Sequence, residues 1–144
     1  MEQLHKEAQR AAVAFQKALQ SVGGVNPGAE LEKELRGFIG TECYYRHWTG
    51  RAHWTDGVQY LAEKAKAHWL IDAVISHQLK KHVRACRFQI WQLKIRPDQT
   101  ARLQMREDTG EPVKAYQNID YSDFPIPEFE LYFIDNILLL KSEY

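Results

Sequence analysis

Apolar residues recur every three or four positions through the first half of the chain and every second position through the last third, which predicts helices first and a sheet afterwards. Leu4, Ala8, Ala11, Phe15, Leu19 and Val22 form one stripe of an amphipathic helix over residues 1–24, with Glu, Lys, Arg and Gln on its other side. Gly23-Gly24 stops it, and Asn26-Pro27-Gly28 turns the chain. A short helix follows, with Leu31, Leu35 and Phe38 in phase and an end near Gly37 and Gly40. Thr55 then offers an N-cap, and Asp56 places a carboxylate in the first turn of the next helix. Val58, Leu61, Ala62 and Ala65, and then Trp69, Leu70, Ala73, Val74 and His77, carry the stripe to about Lys81, a pattern that fits one bent helix or two. Residues 29–82 are therefore read as helical, interrupted by a connection at 42–57.

Beyond Phe88 the period is two. Trp91, Leu93 and Ile95 alternate with Gln92, Lys94 and Arg96, and Pro97-Asp98-Gln99 makes a turn. Ala101, Leu103 and Met105 then alternate with Arg102, Gln104 and Arg106, and Asp108-Thr109-Gly110 turns again before Val113–Ile119. The bend Phe124-Pro125-Ile126-Pro127 precedes Phe129, Leu131 and Phe133, and Asp135-Asn136 is a two-residue hairpin turn leading to Ile137–Leu140. Short connections between alternating strands over residues 87–141 predict an antiparallel meander. The expected architecture is α+β: one domain, residues 1–144, with the N-terminal helices packed on one face of a four- to five-stranded antiparallel meander sheet.

Composition narrows the class. A chain of 144 residues that is 44% hydrophobic and 12% aromatic can bury a core. No apolar run is long enough to span a bilayer, and Glu2, Lys6, Glu7, Arg10 and Lys17 interrupt any secretory h-region, so a cytoplasmic protein without membrane contact is expected. Cys43 and Cys86 are then free thiols. Formal net charge is zero, yet residues 80–106 carry eight Lys or Arg against Asp98, and residues 107–144 carry nine acids against Lys114 and Lys141. Basic and acidic strands paired in one sheet would neutralise each other. The other reading is a nucleic-acid face built from Lys94, Arg96, Arg102 and Arg106.

The densest chemistry lies in Glu42–Gly57, where Tyr44, Tyr45, Arg46, His47, Trp48, Arg51, His53 and Trp54 crowd one connection. Tyr, Trp and Arg are the residue types of interface hot spots, because they offer large rigid area or planar charge. Either Tyr44, Trp48 and Trp54 anchor the connection to the core and leave Arg46, Arg51 and His53 in water, or the segment presents aromatic area. His68 and Asp72 stand four apart on a helix, with His47, His53 and His77 as further donors, but no recognised metal spacing is present. Cys43 lies four residues before His47, and Glu42, Asp56 and Asp72 could serve as acids or bases if folding gathers them. No glycine-rich phosphate loop follows a strand into a helix, and no cofactor or metal is expected.

The motifs Phe38–His47, Trp54-Thr55-Asp56-Gly57, Trp69–Asp72, Phe88–Trp91, Tyr121–Pro125 and Leu138–Leu140 with Glu143-Tyr144 resemble an uncharacterised bacterial domain family of unknown function. The resemblance spans about residues 36–144 and implies a setting on plasmids, phages and other mobile elements, with no assigned activity. Members of that family usually carry Tyr where this chain has His68.

The leading expectation is a small soluble non-enzymatic binding module acting through protein–protein contacts at Tyr45, Arg46, His47, Trp48, Arg51, His53 and Trp54. Its job would be that of a mobile-element accessory or anti-defence protein. One alternative is a small hydrolase-type enzyme with a helix/loop pocket around Glu42, His47 and Asp56. The other is nucleic-acid binding on the basic strands. A homodimer is also expected, because the stripe of residues 1–24 and the apolar run Ile134–Leu140 both need cover.

Overall fold

A computed structural model of the chain describes residues 26–144. The amphipathic helix expected over residues 1–24 lies outside the described residues. Asn26 caps helix α1 (Pro27–Leu35): its carboxamide oxygen accepts hydrogen bonds from the N–H of Gly28 at 2.9 Å and of Ala29 at 3.3 Å. Thr55 caps α2 (Asp56–Ala65) as its sequence position predicts, its hydroxyl accepting from the N–H of Val58 at 3.3 Å. The segment to Lys81 is two helices. Lys66, with φ of 51°, turns left-handed after α2, and α3 (His68–His77) starts again behind a buried Ala67. A single turn, α4 (Lys81–Arg84), leads to the long strands.

The strands are β1 (Tyr44–Arg46), β2 (His53–Thr55), β3 (Phe88–Ile95), β4 (Ala101–Arg106), β5 (Ala115–Ile119), β6 (Glu128–Ile134) and β7 (Ile137–Leu140). They form one seven-stranded sheet in the order β1-β2-β7-β6-β3-β4-β5. Two expectations are thereby corrected. The sheet has seven strands rather than four or five, because the aromatic connection folds as a β1–β2 hairpin and extends it. It is also not a simple meander. β3, β4 and β5 follow one another, but β6 returns past them to pair with the far side of β3, a Greek-key order. The return segment buries Ser122, Phe124 and Ile126 while Asp123 and Pro127 stay exposed, so the proline-rich bend also packs onto the core. All pairings are antiparallel except β2 with β7, where His53 aligns with Ile137 and Trp54 with Leu138.

Alternation places Trp91, Leu93, Leu103, Met105, Leu131 and Phe133 on one side of the sheet, in the same buried cluster as Val58, Leu61, Leu70, Ile71 and Val74 of α2 and α3. Burying each such side chain is worth roughly 1.5–3 kcal/mol, so this layer supplies most of the cohesion. One polar member sits inside it. Gln89 is almost wholly buried, yet its amide donates to the carbonyls of Val83 and Cys86 and exchanges hydrogen bonds with Gln78, and it accepts from the Trp91 indole. Fully satisfied in this way, it ties α3 and α4 to β3 without a desolvation penalty. The apolar run of β7 is no open edge, contrary to the expectation behind the homodimer. Leu138 and Leu140 are buried, with β6 on one side and β2 on the other.

The chain after β7 turns through Lys141–Glu143 and brings Glu143 to the start of α2. Its carboxylate accepts from the Thr55 hydroxyl at 2.6 Å, from the Leu140 N–H at 3.0 Å and from the Gly57 N–H at 3.3 Å. A carboxylate there satisfies orphan amides and complements the helix dipole. A Cβ at position 57 would lie 2.5 Å from Leu140 Cδ1 and 2.7 Å from Glu143 Oε1, so glycine there lets both side chains approach without shifting. Glu143→Ala is expected to lower unfolding free energy by about 1–3 kcal/mol and Glu143→Gln by less, as read from urea denaturation midpoints at constant slope.

Candidate functional site

The hairpin is held at its base by a reciprocal network. Asp56 Oδ2 accepts from the N–H groups of Glu42 at 3.1 Å and Cys43 at 3.2 Å. The Thr41 hydroxyl donates to the Cys43 carbonyl at 2.8 Å and accepts from the Asp56 N–H at 3.3 Å. β1 and β2 then pair with Tyr45 opposite Trp54, and the loop closes through His47 N–H to Ala52 O at 2.9 Å and Gly50 N–H to His47 O at 2.8 Å. Gly50 has φ of +76°, and the Arg46 guanidinium lies where its side chain would be.

Two of the predicted residues fasten the hairpin to the helices, and a third packs on one of them. His47 is only 6% exposed; its Nε2 lies 2.9 Å from Asp72 Oδ1 of α3 and its Nδ1 lies 2.8 Å from the Thr49 hydroxyl. The Thr49 N–H also donates to Nδ1 at 3.3 Å, which assigns Nδ1 as acceptor and Nε2 as the N–H donor to Asp72. Trp54 is half-buried and donates its indole N–H to Gln59 Oε1 of α2 at 2.7 Å. Tyr45 stacks on Trp54 with ring centroids 6.2 Å apart and planes 10° apart.

Tyr44, Arg46, Trp48 and Arg51 face water. Trp48 is 88% exposed, its ring tilted against that of His47, and Tyr44 is 55% exposed. Arg46 and Arg51 are exposed, and neither makes a side-chain hydrogen bond or ion pair among the described residues, while His53 is half-buried. The connection is thus divided rather than wholly core or wholly surface: Trp54 anchors, Tyr44 and Trp48 do not. Thr49 and Gln59 carried no mark in the sequence, and Glu143 stood there only within a family motif, because such polar side chains become partners only once the hairpin and its helices meet.

The residues of the enzyme alternative gather only in part. His47 and Asp72 meet, but the Asp56 carboxylate is engaged by backbone N–H groups, and Cys43 is exposed. Cys86 is buried, and burial first, with Glu107 beside it, pushes its thiol up to about 11, far from thiolate reactivity. Among the described residues no three His, Cys, Asp or Glu side chains cluster as metal ligands. The basic strands present Lys94, Arg102 and Arg106 on the face opposite the helices, largely committed to neighbours. Arg102 lies 4.4 Å over the Tyr116 ring and donates to Gln104, and Arg106 donates to Gln92 and to the Glu111 carbonyl. Lys94 stands opposite Glu128 across the strands, and Arg96 donates to Thr100 at the turn. No helix among the described residues is long and apolar enough to cross a membrane.

Among known protein families, the model of the Family of unknown function (DUF6876) matches residues 29–144. No curated protein matches the chain, and no solved structure matches it.

His77 supplies a pH dependence away from the hairpin. The ring is buried against Trp91; Nε2 lies 3.0 Å from Gln117 Oε1 and Nδ1 lies 3.2 Å from the Lys80 ammonium, so Nδ1 accepts and the imidazole is neutral. Burial holds it below its ordinary value of 6.5, the Gln117 bond opposes that shift, and Lys80 adds to it. The unfolded chain therefore binds the proton more readily than the folded one. This stability is full above about pH 6.5 and declines as pH falls toward the depressed folded value. Denaturation midpoints measured between pH 8 and 5 should show the decline, and His77→Gln should flatten it.

Proposed function

The chain belongs to that family of unknown function, and we propose that it is a non-enzymatic binding module that captures a protein partner with the β1–β2 hairpin. The observation that carries this is Trp48, a large apolar ring held in solvent on a loop closed at both ends by hydrogen bonds. Exposing an indole costs hydrophobic free energy, while the anchors His47, Tyr45 and Trp54 fix the loop that displays it; such pre-organised aromatic area is what a binding hot spot needs. Arg46 and Arg51 flank it with uncommitted guanidinium groups. We place this activity in a cytoplasm, which suits an exposed free thiol at Cys43. We also assign it to an accessory or anti-defence protein of a mobile element, a setting supported by motif resemblance alone.

Affinity purification from the encoding cell, run beside Trp48→Ala and Arg51→Ala, is the test. Each variant should weaken capture of a specific partner by at least about 2 kcal/mol, roughly thirtyfold, with stability changed by no more than about 0.5 kcal/mol. A partner retained equally by both variants would reject the assignment.

A second reading, a hydrolase, has one observation in its favour. Thr49, His47 and Asp72 stand in the order nucleophile, base and orienting carboxylate. It predicts turnover of activated esters that Thr49→Val and His47→Gln each abolish. Turnover at the uncatalysed rate in the unaltered protein would sink it.

A further inference from the structure

β1 is one edge of the sheet, and its backbone polarity can be read residue by residue. Because the His47 N–H bonds to Ala52 O, the hydrogen-bonded pairs of the hairpin are His47 with Ala52 and Tyr45 with Trp54. The intervening pairs, Tyr44 with Thr55 and Arg46 with His53, direct their N–H and C=O groups outward. On the β2 side this is visible: the His53 N–H reaches Asn136 O at 2.9 Å. On the β1 side the same groups of Tyr44 and Arg46 have no partner among the described residues. Two donors and two acceptors therefore lie in a row, spaced for one added strand.

The side chains state what that strand must carry. The stretch Tyr44–Thr55 contains Arg46, Arg51, His47 and His53 and no Asp or Glu. Of the two flanking carboxylates, Asp56 is engaged by the N–H groups of Glu42 and Cys43, and Glu42, exposed just before β1, is outnumbered by the two arginines. A residue opposite Arg46 emerges on the sheet face away from the helices, beside an unpaired guanidinium; a residue opposite Tyr45 emerges on the helix side, beside the Tyr45–Trp54 stack.

We propose that β1 accepts an extended acidic segment of its partner protein as an eighth strand, with carboxylates on the face of Arg46 and an apolar side chain facing Tyr45 on the other. Main-chain hydrogen bonds supply attachment and the alternate side chains supply selectivity. This rests on the hairpin being the binding surface and names the chemistry of what it binds. A second copy of the chain fits the backbone but brings a second set of cations to the same edge, which disfavours it.

The probes are a short peptide alternating glutamate and valine and its lysine–valine counterpart, added to the full chain. Amide exchange at Tyr44 and Arg46 is followed by NMR, and affinity is measured at low and high salt. The glutamate peptide should slow exchange at both amides and bind at least about tenfold more tightly than the lysine peptide, less so in high salt; Arg46→Glu should reverse the preference. Equal binding of both peptides, or exchange unchanged at millimolar glutamate peptide, overturns the proposal. So do amides already protected in a sedimenting dimer, which would make the second copy the occupant. Partner capture that depends on Trp48 while both amides stay unprotected overturns strand addition alone and leaves the hairpin as the binding surface.

Discussion

The carboxylate of Glu143 is the point on which the arrangement of this molecule turns. It accepts from the hydroxyl that caps α2, from an amide in the first turn of α2 and from the backbone at the end of β7. The junction of the hairpin with the first helix of the core layer thus shares one acceptor with the last strand, more than eighty residues away. Each neutral hydrogen bond of this kind is worth about 1 kcal/mol, and bonds to a charged acceptor are worth more. The geometric effect is larger than the energy. Because β2 runs directly into α2, holding the start of α2 against the end of β7 keeps β2 beside β7, where the two pair in parallel.

From this follows the division of labour in the hairpin. Its base is pinned through Thr41 and Asp56, and its inward face through His47 to α3 and Trp54 to α2. Rigid attachment on one side frees the other for display. The seven residues singled out from composition therefore split into anchors and solvent-facing groups, and neither extreme reading of the segment describes them all.

Strong periodicity made the two-layer plan legible. Val58, Leu61, Leu70 and Val74 sit where their helical spacing predicts, and Trp91, Leu93, Leu103 and Met105 where strand alternation predicts. Asp135 and Asn136, both with positive φ, form the predicted turn. Long-range choices were hidden. β1 and β2 have three residues each, too few for alternation to register, although Tyr, Trp and Thr flanking Trp48-Thr49-Gly50 are residues that favour a hairpin. The Greek-key return was invisible because the partner of β6 is chosen by the whole core and not by its neighbours in sequence. Of the site, the residue types were readable; which of them would face solvent depended on Asp72 and Gln59, on helices that meet the hairpin only in the folded chain.

The parallel pairing of β2 with β7 carries a temporal consequence. More than eighty residues separate His53 from its neighbour Ile137, so this contact closes one of the longest loops in the described chain. During synthesis the hairpin emerges early but lacks its supporting strand until β7 leaves the ribosome. A nascent or prematurely terminated polypeptide would carry Trp48 and its neighbours without that support, so the ordered hairpin arises abruptly on completion of the sheet rather than growing with chain length.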